Sequence, residues 1–365
     1  MEGSSKWLTR YQQFLLKNSS QISSIESSLR SLSFILPGRF KDVEVASESL
    51  YSVLQILGLY HDSIIAKATK RLAAIDPSFR ASCHNRYTEY QVQHNRLYRY
   101  VALAIQLTRY TEMLWEMVAR KRGGERGRWA TVLSIESVKA LLRLVLLFRT
   151  KRPLASPPIA EREVDPSNLE ELDLEQNKLP SSKDTWKMPR MGQGISMALP
   201  VGPPNIDAFL SEKVLTAEDV KSPVELLHKL ESVRGTVAEV VYILRPLIYA
   251  LLAYRYRHKP RNWTPWLTGI AMEYFSRREL AKSYKEDIAG GFRGLTKLEA
   301  DELQKRGMAL WWWSLRGAMY NNLTGPAIRR MLEKTAWIPG IGIFGSVLED
   351  YLYLVDNYHF SCSSL

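Results

Sequence analysis

The chain has 365 residues, 45% of them hydrophobic, 24% charged and 10% aromatic, which excludes a wholly disordered or collagen-like polymer and leaves room for roughly two globular units. Two cysteines, Cys83 and Cys362, are too few for a disulfide framework or a Cys-rich zinc site and fit a reducing compartment. The net charge of +12 is concentrated in residues 1–150, which carry 22 basic and 12 acidic side chains; such a field attracts nucleic acid, an anionic membrane or an acidic partner without choosing among them.

Helix signals dominate from the start. Trp7, Tyr11 and Phe14 with Leu8 and Leu15 mark a short amphipathic helix, and the opening has no uninterrupted apolar core ending at a cleavage site, so no secretory signal is expected. Ile22, Ile25, Leu29, Leu32 and Leu36 recur at three and four residues, as do Leu50, Val53, Leu54, Leu57 and Ile64, with Pro37-Gly38 turning the chain between them. Lys67, Lys70 and Arg71 close the second stripe. They read either as a basic contact for a receptor or as cations complementing the dipole at a helix end.

Two apolar helices follow, at 101–118 and 129–148. Arg109, Glu112 and Glu116 in the first, and Glu136, Lys139 and Arg143 in the second, each fall within an arc of ~60°. The rest of each circumference is largely apolar. A lone crossing by 129–148 is unfavourable: three charges near the midplane cost up to roughly 9 kcal/mol against roughly 5 gained by its apolar side chains. Nothing in the chain reaches ~18 consecutive apolar residues. The helices are therefore expected to lie in the interface, or to pair stripe against stripe. Between them, Arg120, Lys121, Arg122, Arg126 and Arg128 make a basic turn followed at once by Trp129. Basic turns contact anionic headgroups, and Trp concentrates at the lipid–water boundary.

Residues 151–205 hold nine of the 17 prolines and an acidic stretch, and read as a disordered linker. Beyond it, Ser222-Pro223-Val224-Glu225 and Thr296-Lys297-Leu298-Glu299 are helix starts by their capping residues, the second leading a helix expected to carry Trp311, Trp312 and Trp313. Arg255, Arg257, His258, Lys259 and Arg261 precede Trp263 and Trp266, repeating the basic-then-Trp order. The organisation expected is all-α: an N-terminal helical bundle with an apolar helical hairpin (1–150), the linker (151–205), and a C-terminal helical, membrane-associated block (206–365).

Catalytic and cofactor motifs fail on context. Gly340-Ile341-Gly342-Ile343-Phe344-Gly345 has dinucleotide-loop spacing but no surrounding βαβ unit, and the six histidines are dispersed, so no metal, cofactor or small-molecule substrate is expected. Basic groups alternate with apolar runs and no recognition signature appears, so no nucleic acid is expected. Ser363-Ser364-Leu365 lacks the central basic residue of a peroxisomal address. Asn18-Ser19-Ser20, Asn262-Trp263-Thr264 and Asn322-Leu323-Thr324 are glycosylation sequons by spacing, to be left unmodified on a cytosolic face.

Arg10-Tyr11-Gln12, Gly38-Arg39-Phe40, Gly127-Arg128-Trp129, Lys139-Ala140-Leu141-Leu142-Arg143 and Ser156-Pro157-Pro158-Ile159 stand in one order along the chain, followed by Arg245-Pro246-Leu247, Trp263-Thr264-Pro265-Trp266-Leu267 and Pro339-Gly340-Ile341-Gly342. In that order and spacing the chain resembles the peroxin-16 family of peroxisome biogenesis proteins, from near residue 7 to about 355. The resemblance implies a non-enzymatic peroxisomal membrane protein, partly routed through the endoplasmic reticulum, with cytosolic termini. It also implies partners of the peroxin-3 docking and peroxin-19 receptor-chaperone types in recruiting and inserting membrane proteins. The residues alone leave open a soluble all-α scaffold with basic loops.

Overall fold

A computed structural model describes residues 10–11, 14–15, 18–35, 43–73, 81–163, 185–187, 194–196, 221–288, 290–335 and 352–362. The Pro37-Gly38 turn, the glycine run at 340–345, the last three residues and much of the expected linker lie outside them. The elements are α1 (Ser19–Ile35), α2 (Val43–Ala73), α3 (Cys83–His94), α4 (Arg96–Thr150), a hairpin of β1 (Thr185–Lys187) and β2 (Gly194–Ser196), α5 (Val233–Arg255), α6 (Thr264–Asp287), α7 (Lys297–Ala309) and α8 (Gly325–Thr335). Among the described residues the fold is all-α apart from that three-residue antiparallel pairing.

The chain divides into two compact units, 1–31 with 57–82 and 161–220, and 32–56 with 83–160 and 221–365. In the first, Leu15, Ile64 and Ile65 are buried with Tyr11 and Ile22 against them. His61 is hydrogen-bonded to Glu26 and, at 2.8 Å, to the Tyr11 hydroxyl. Arg162 pairs with Asp62 and reaches Ser23 Oγ at 3.1 Å.

The second unit is built around α4. Asn95 caps it by accepting from the Tyr98 N–H at 3.3 Å. Midway, Gly124 takes φ 59° and ψ −155°, a conformation closed to most side chains, and the helix reverses there into two arms. Tyr98, Ala102 and Ile105 of the first arm bury against Leu146 and Leu142 of the second. α5 lays Ala238 and Ile243 against Ala140 and Leu147, and α6 closes the same cluster with Leu280 and Tyr284. The apolar hairpin expected from the sequence is thus the centre of this unit, its two arms antiparallel and α5 antiparallel to the second arm.

α6 approaches its neighbours closely at Gly269. A Cβ there would stand 2.2 Å from the Trp313 ring, so the indole occupies the space a side chain would need.

Three local expectations change under tertiary contacts. Ser222-Pro223-Val224-Glu225 opens only a 3₁₀ turn, Pro223–Leu226, since the N–H groups that would continue a helix go elsewhere, His228 to Glu299 Oε1 and Leu230 to Lys151 O, while Arg152 donates to the carbonyls of Val224 and Leu227. The Trp311–Trp313 run lies in a 3₁₀ segment, Leu310–Leu315, after α7 has ended; the tighter winding accompanies burial of Trp313, whose carbonyl accepts from Trp266 Nε1 at 3.0 Å. The expected linker begins as a fastened strap. In it Arg152 is buried, Pro158 O accepts from the Tyr98 hydroxyl at 3.0 Å, and Ser156 donates its N–H to Glu302 at 3.2 Å. These partners satisfy a backbone that its prolines keep out of helix.

Candidate functional site

The charged arcs of the hairpin turn inward. Lys139, only 1% exposed, donates to Glu112 Oε2 at 2.8 Å and to Glu136 Oε1 at 3.2 Å. Glu116 is fully buried, accepting from Arg128 Nε at 2.9 Å and from the backbone N–H groups of His359 at 2.7 Å and Phe360 at 2.9 Å. The pattern continues outward through the helices. Glu239 of α5 takes both guanidinium nitrogens of Arg306 of α7, at 2.7 and 3.0 Å, and Arg245 of α5 pairs with Glu273 of α6. Each of these buried charges has an opposite partner within hydrogen-bond distance, the condition under which burial is tolerable. Arg109 is the exception in the stripes, being exposed, and Arg143 is half-buried.

Large apolar side chains also cover the outside, in addition to those buried between the arms such as Ile105, Leu146 and Leu147. From 130 to 148, the exposed positions are Ala130, Ser134, Val138, Leu141, Val145 and Phe148. Their spacing of three and four puts them on one face, about 27 Å long at 1.5 Å per residue, close to the ~30 Å hydrocarbon core of a bilayer. Leu141 is 63% exposed and Phe148 60%. Tyr100, Leu103, Leu107 and Trp115 are exposed on the first arm, and Leu267, Tyr274 and Phe275 on α6. A water-soluble bundle places charged and polar side chains, not a continuous apolar face of this length, on its outside. Among the described residues, α5 alone is long and apolar enough to cross a membrane by length and composition, with 44% of its most apolar window buried.

The predicted contact residues divide by environment. Arg128 is spent on Glu116 and Glu125 and lies 5.2 Å from the Trp129 ring centroid. Arg120 donates to Asn357 Oδ1 at 2.9 Å and pairs with Glu125 at 3.3 Å. Lys121, Arg122 and Arg126 are exposed. Trp129, expected at a lipid boundary, is 9% exposed and packs with Val132, Ala250 and Phe360. Trp263 is at the surface, edge-on to the half-buried Trp266 with ring centroids 5.4 Å apart. Lys67, Lys70 and Arg71 fall in the last turns of α2, with side chains outside the described set. Among the described residues no group of three His, Cys, Asp or Glu side chains is placed to hold a metal ion.

The sequence reading missed the C-terminal clasp. Besides its backbone bonds to Glu116, this segment sends the Tyr358 hydroxyl to Glu44 at 2.7 Å, and burial with that bond pushes Tyr358 up to about 12. His359 stacks on Tyr249 at 5.8 Å between centroids. Main-chain N–H groups carry no residue signature, so no motif announces them.

One carboxyl beside the hairpin is held above its ordinary range. Burial, and secondarily the negative charge of Glu112, push Glu48 up to about 7. A folded value above the unfolded one means stability is lost as pH rises from the unfolded value through about 7. Glu48→Gln is therefore expected to match the parent at pH 5 and to exceed it at pH 8 by roughly 2 kcal/mol, allowing for partial exposure. Thermal unfolding in one detergent at both pH values checks this; a gain at pH 5 equal to that at pH 8 would contradict it.

The family model described as peroxisomal membrane protein (Pex16) matches residues 9–357. The chain belongs to the Pex16 family. It is similar to the peroxisomal membrane protein PEX16 of Schizosaccharomyces pombe, 24% identical across 97% of this chain and 100% of that protein. It is also similar to the peroxisome biogenesis protein 16 of Arabidopsis thaliana, 21% identical across 94% and 96%. No solved structure matches. The Pex16 match spans both units, including the charged hairpin and the α5–α6 pair, so the buried ionic seam falls within the region that defines the family.

Proposed function

We propose that this Pex16-family chain is a non-enzymatic membrane assembly factor that recruits newly made peroxisomal membrane proteins and assists their insertion. The observation that carries the membrane part of the reading is the hairpin's polarity, with Lys139, Glu112 and Glu116 inside and Val138, Leu141, Val145 and Phe148 outside. A soluble scaffold exposing that face would aggregate. Resemblance to the family supports partners of the peroxin-3 and peroxin-19 types, passage in part through the endoplasmic reticulum, and termini in the cytosol. Lys67, Lys70 and Arg71 are assigned to receptor contact, and Lys121, Arg122, Arg126, Trp263 and Trp266 to the membrane surface.

The test is acute depletion of the chain from cells, followed by pulse-labelling of peroxisomal membrane proteins. Newly made membrane proteins are expected to accumulate outside peroxisomes while matrix enzymes keep their catalytic activity. Undiminished delivery after complete depletion contradicts the role.

A further inference from the structure

We propose that the turns 120–128 and 255–261, remote in sequence, form one composite cationic site for anionic phospholipid headgroups; this deepens the membrane reading and rests on it. The second arm of α4 begins at Trp129 and α5 ends at Arg255, and the two run antiparallel, so their basic turns share one end of the unit. The Trp129 and Tyr254 rings lie 6.0 Å apart between centroids, and Trp129, Val132 and Ala250 pack together below the turns. Lys121, Arg122 and Arg126 from one turn, and Arg255, Arg257, Lys259 and Arg261 from the other, are exposed there.

Both turns are held in place. Arg128 ties the first to buried Glu116, and Glu125, the one acidic residue in either turn, is engaged by Arg120 and Arg128. In the second, the carbonyls of Pro260 and Arg261 accept from the Asn321 and Asn322 amides at 3.1 Å each, and Arg257 lies 4.6 Å from the Tyr254 ring centroid. The exposed cations therefore stand on a fixed base. Trp263 and Tyr254, both partly exposed beside them, are the residue types enriched at the level of headgroups. Seven cations at one end of an apolar-faced bundle match an anionic leaflet, since clusters of four to eight basic residues at a membrane surface select such lipids.

The experiment reconstitutes the full chain into phosphatidylcholine vesicles carrying spin-labelled phosphatidylserine or spin-labelled phosphatidylcholine, and compares the protein-restricted fraction of each. The unchanged chain is expected to prefer phosphatidylserine by about fivefold at low salt, falling towards onefold near 1 M salt as screening shortens to ~3 Å. Neutralising either turn alone, by Lys121→Gln with Arg122→Gln and Arg126→Gln, or by Arg257→Gln with Lys259→Gln and Arg261→Gln, is expected to reduce the preference to about twofold, and both together to abolish it. Arg→Lys versions should retain it, separating charge from folding. A restricted lipid population without preference in the unchanged chain overturns the composite site and leaves the membrane reading standing. Full preference after neutralising either turn also overturns it. No restricted lipid at all overturns both.

Discussion

Leu141→Lys combined with Val138→Lys is expected to release the chain from membranes. Both side chains are exposed near the middle of the uncharged face that runs from 130 to 148. A lysine near the bilayer centre costs about 3 kcal/mol on insertion scales, so the pair costs roughly 6 kcal/mol, ~10⁴-fold in partition, before snorkelling reduces it. Alkaline carbonate extraction should move the variant from pellet to supernatant. The same changes on a water-facing helix would be nearly neutral, within about 0.5 kcal/mol. An unchanged pellet fraction with unchanged folding would remove that face from lipid.

Lys139→Met is expected to be the most destabilising single change. It leaves Glu112 and Glu136 buried against one another with their shared cation gone. Removing one member of a buried ionic cluster typically costs ~3–5 kcal/mol because the remaining charge has no water to return to. Detergent-solubilised variant should lose most of its unfolding transition at temperatures the parent withstands. Lys139→Met with Glu112→Leu and Glu136→Leu should recover much of the loss, because it replaces the whole cluster with apolar volume. If Lys139→Met unfolds with the parent, the seam does not hold the hairpin.

Periodicity was enough to locate the helices, since apolar residues at three and four residues leave few other conformations that bury them together. It also showed that the charges of each arm share an arc, and that paired stripes were one solution. Whether an arc meets water or another arc depends on partners far along the chain. Lys139 meets Glu112 only because Gly124 reverses the helix. Trp129 resembled an interfacial anchor by its place after a basic turn, but Phe360 and Ala250 cover it, and nothing near residue 129 announces a segment 231 residues later. The capping residues at Ser222 and Thr296 were equally good locally. Only the second leads a full helix, because Glu299 and Lys151 O take the His228 and Leu230 N–H groups that the first would have used. Proline content likewise signalled that 151–163 would not be helix, without revealing that Tyr98 and Glu302 fasten part of it.

Depth-resolved quenching reads directly which solvent touches the outer face of the hairpin. In the full chain with Cys83 and Cys362 replaced by serine, a bimane-labelled cysteine is placed in turn at Val138, Leu141 and Val145 in phospholipid vesicles. Strong quenching by brominated acyl chains, with little by aqueous iodide, is the predicted result at all three positions. Efficient iodide quenching at the three, with no response to brominated lipid, would place the face in water and contradict the account.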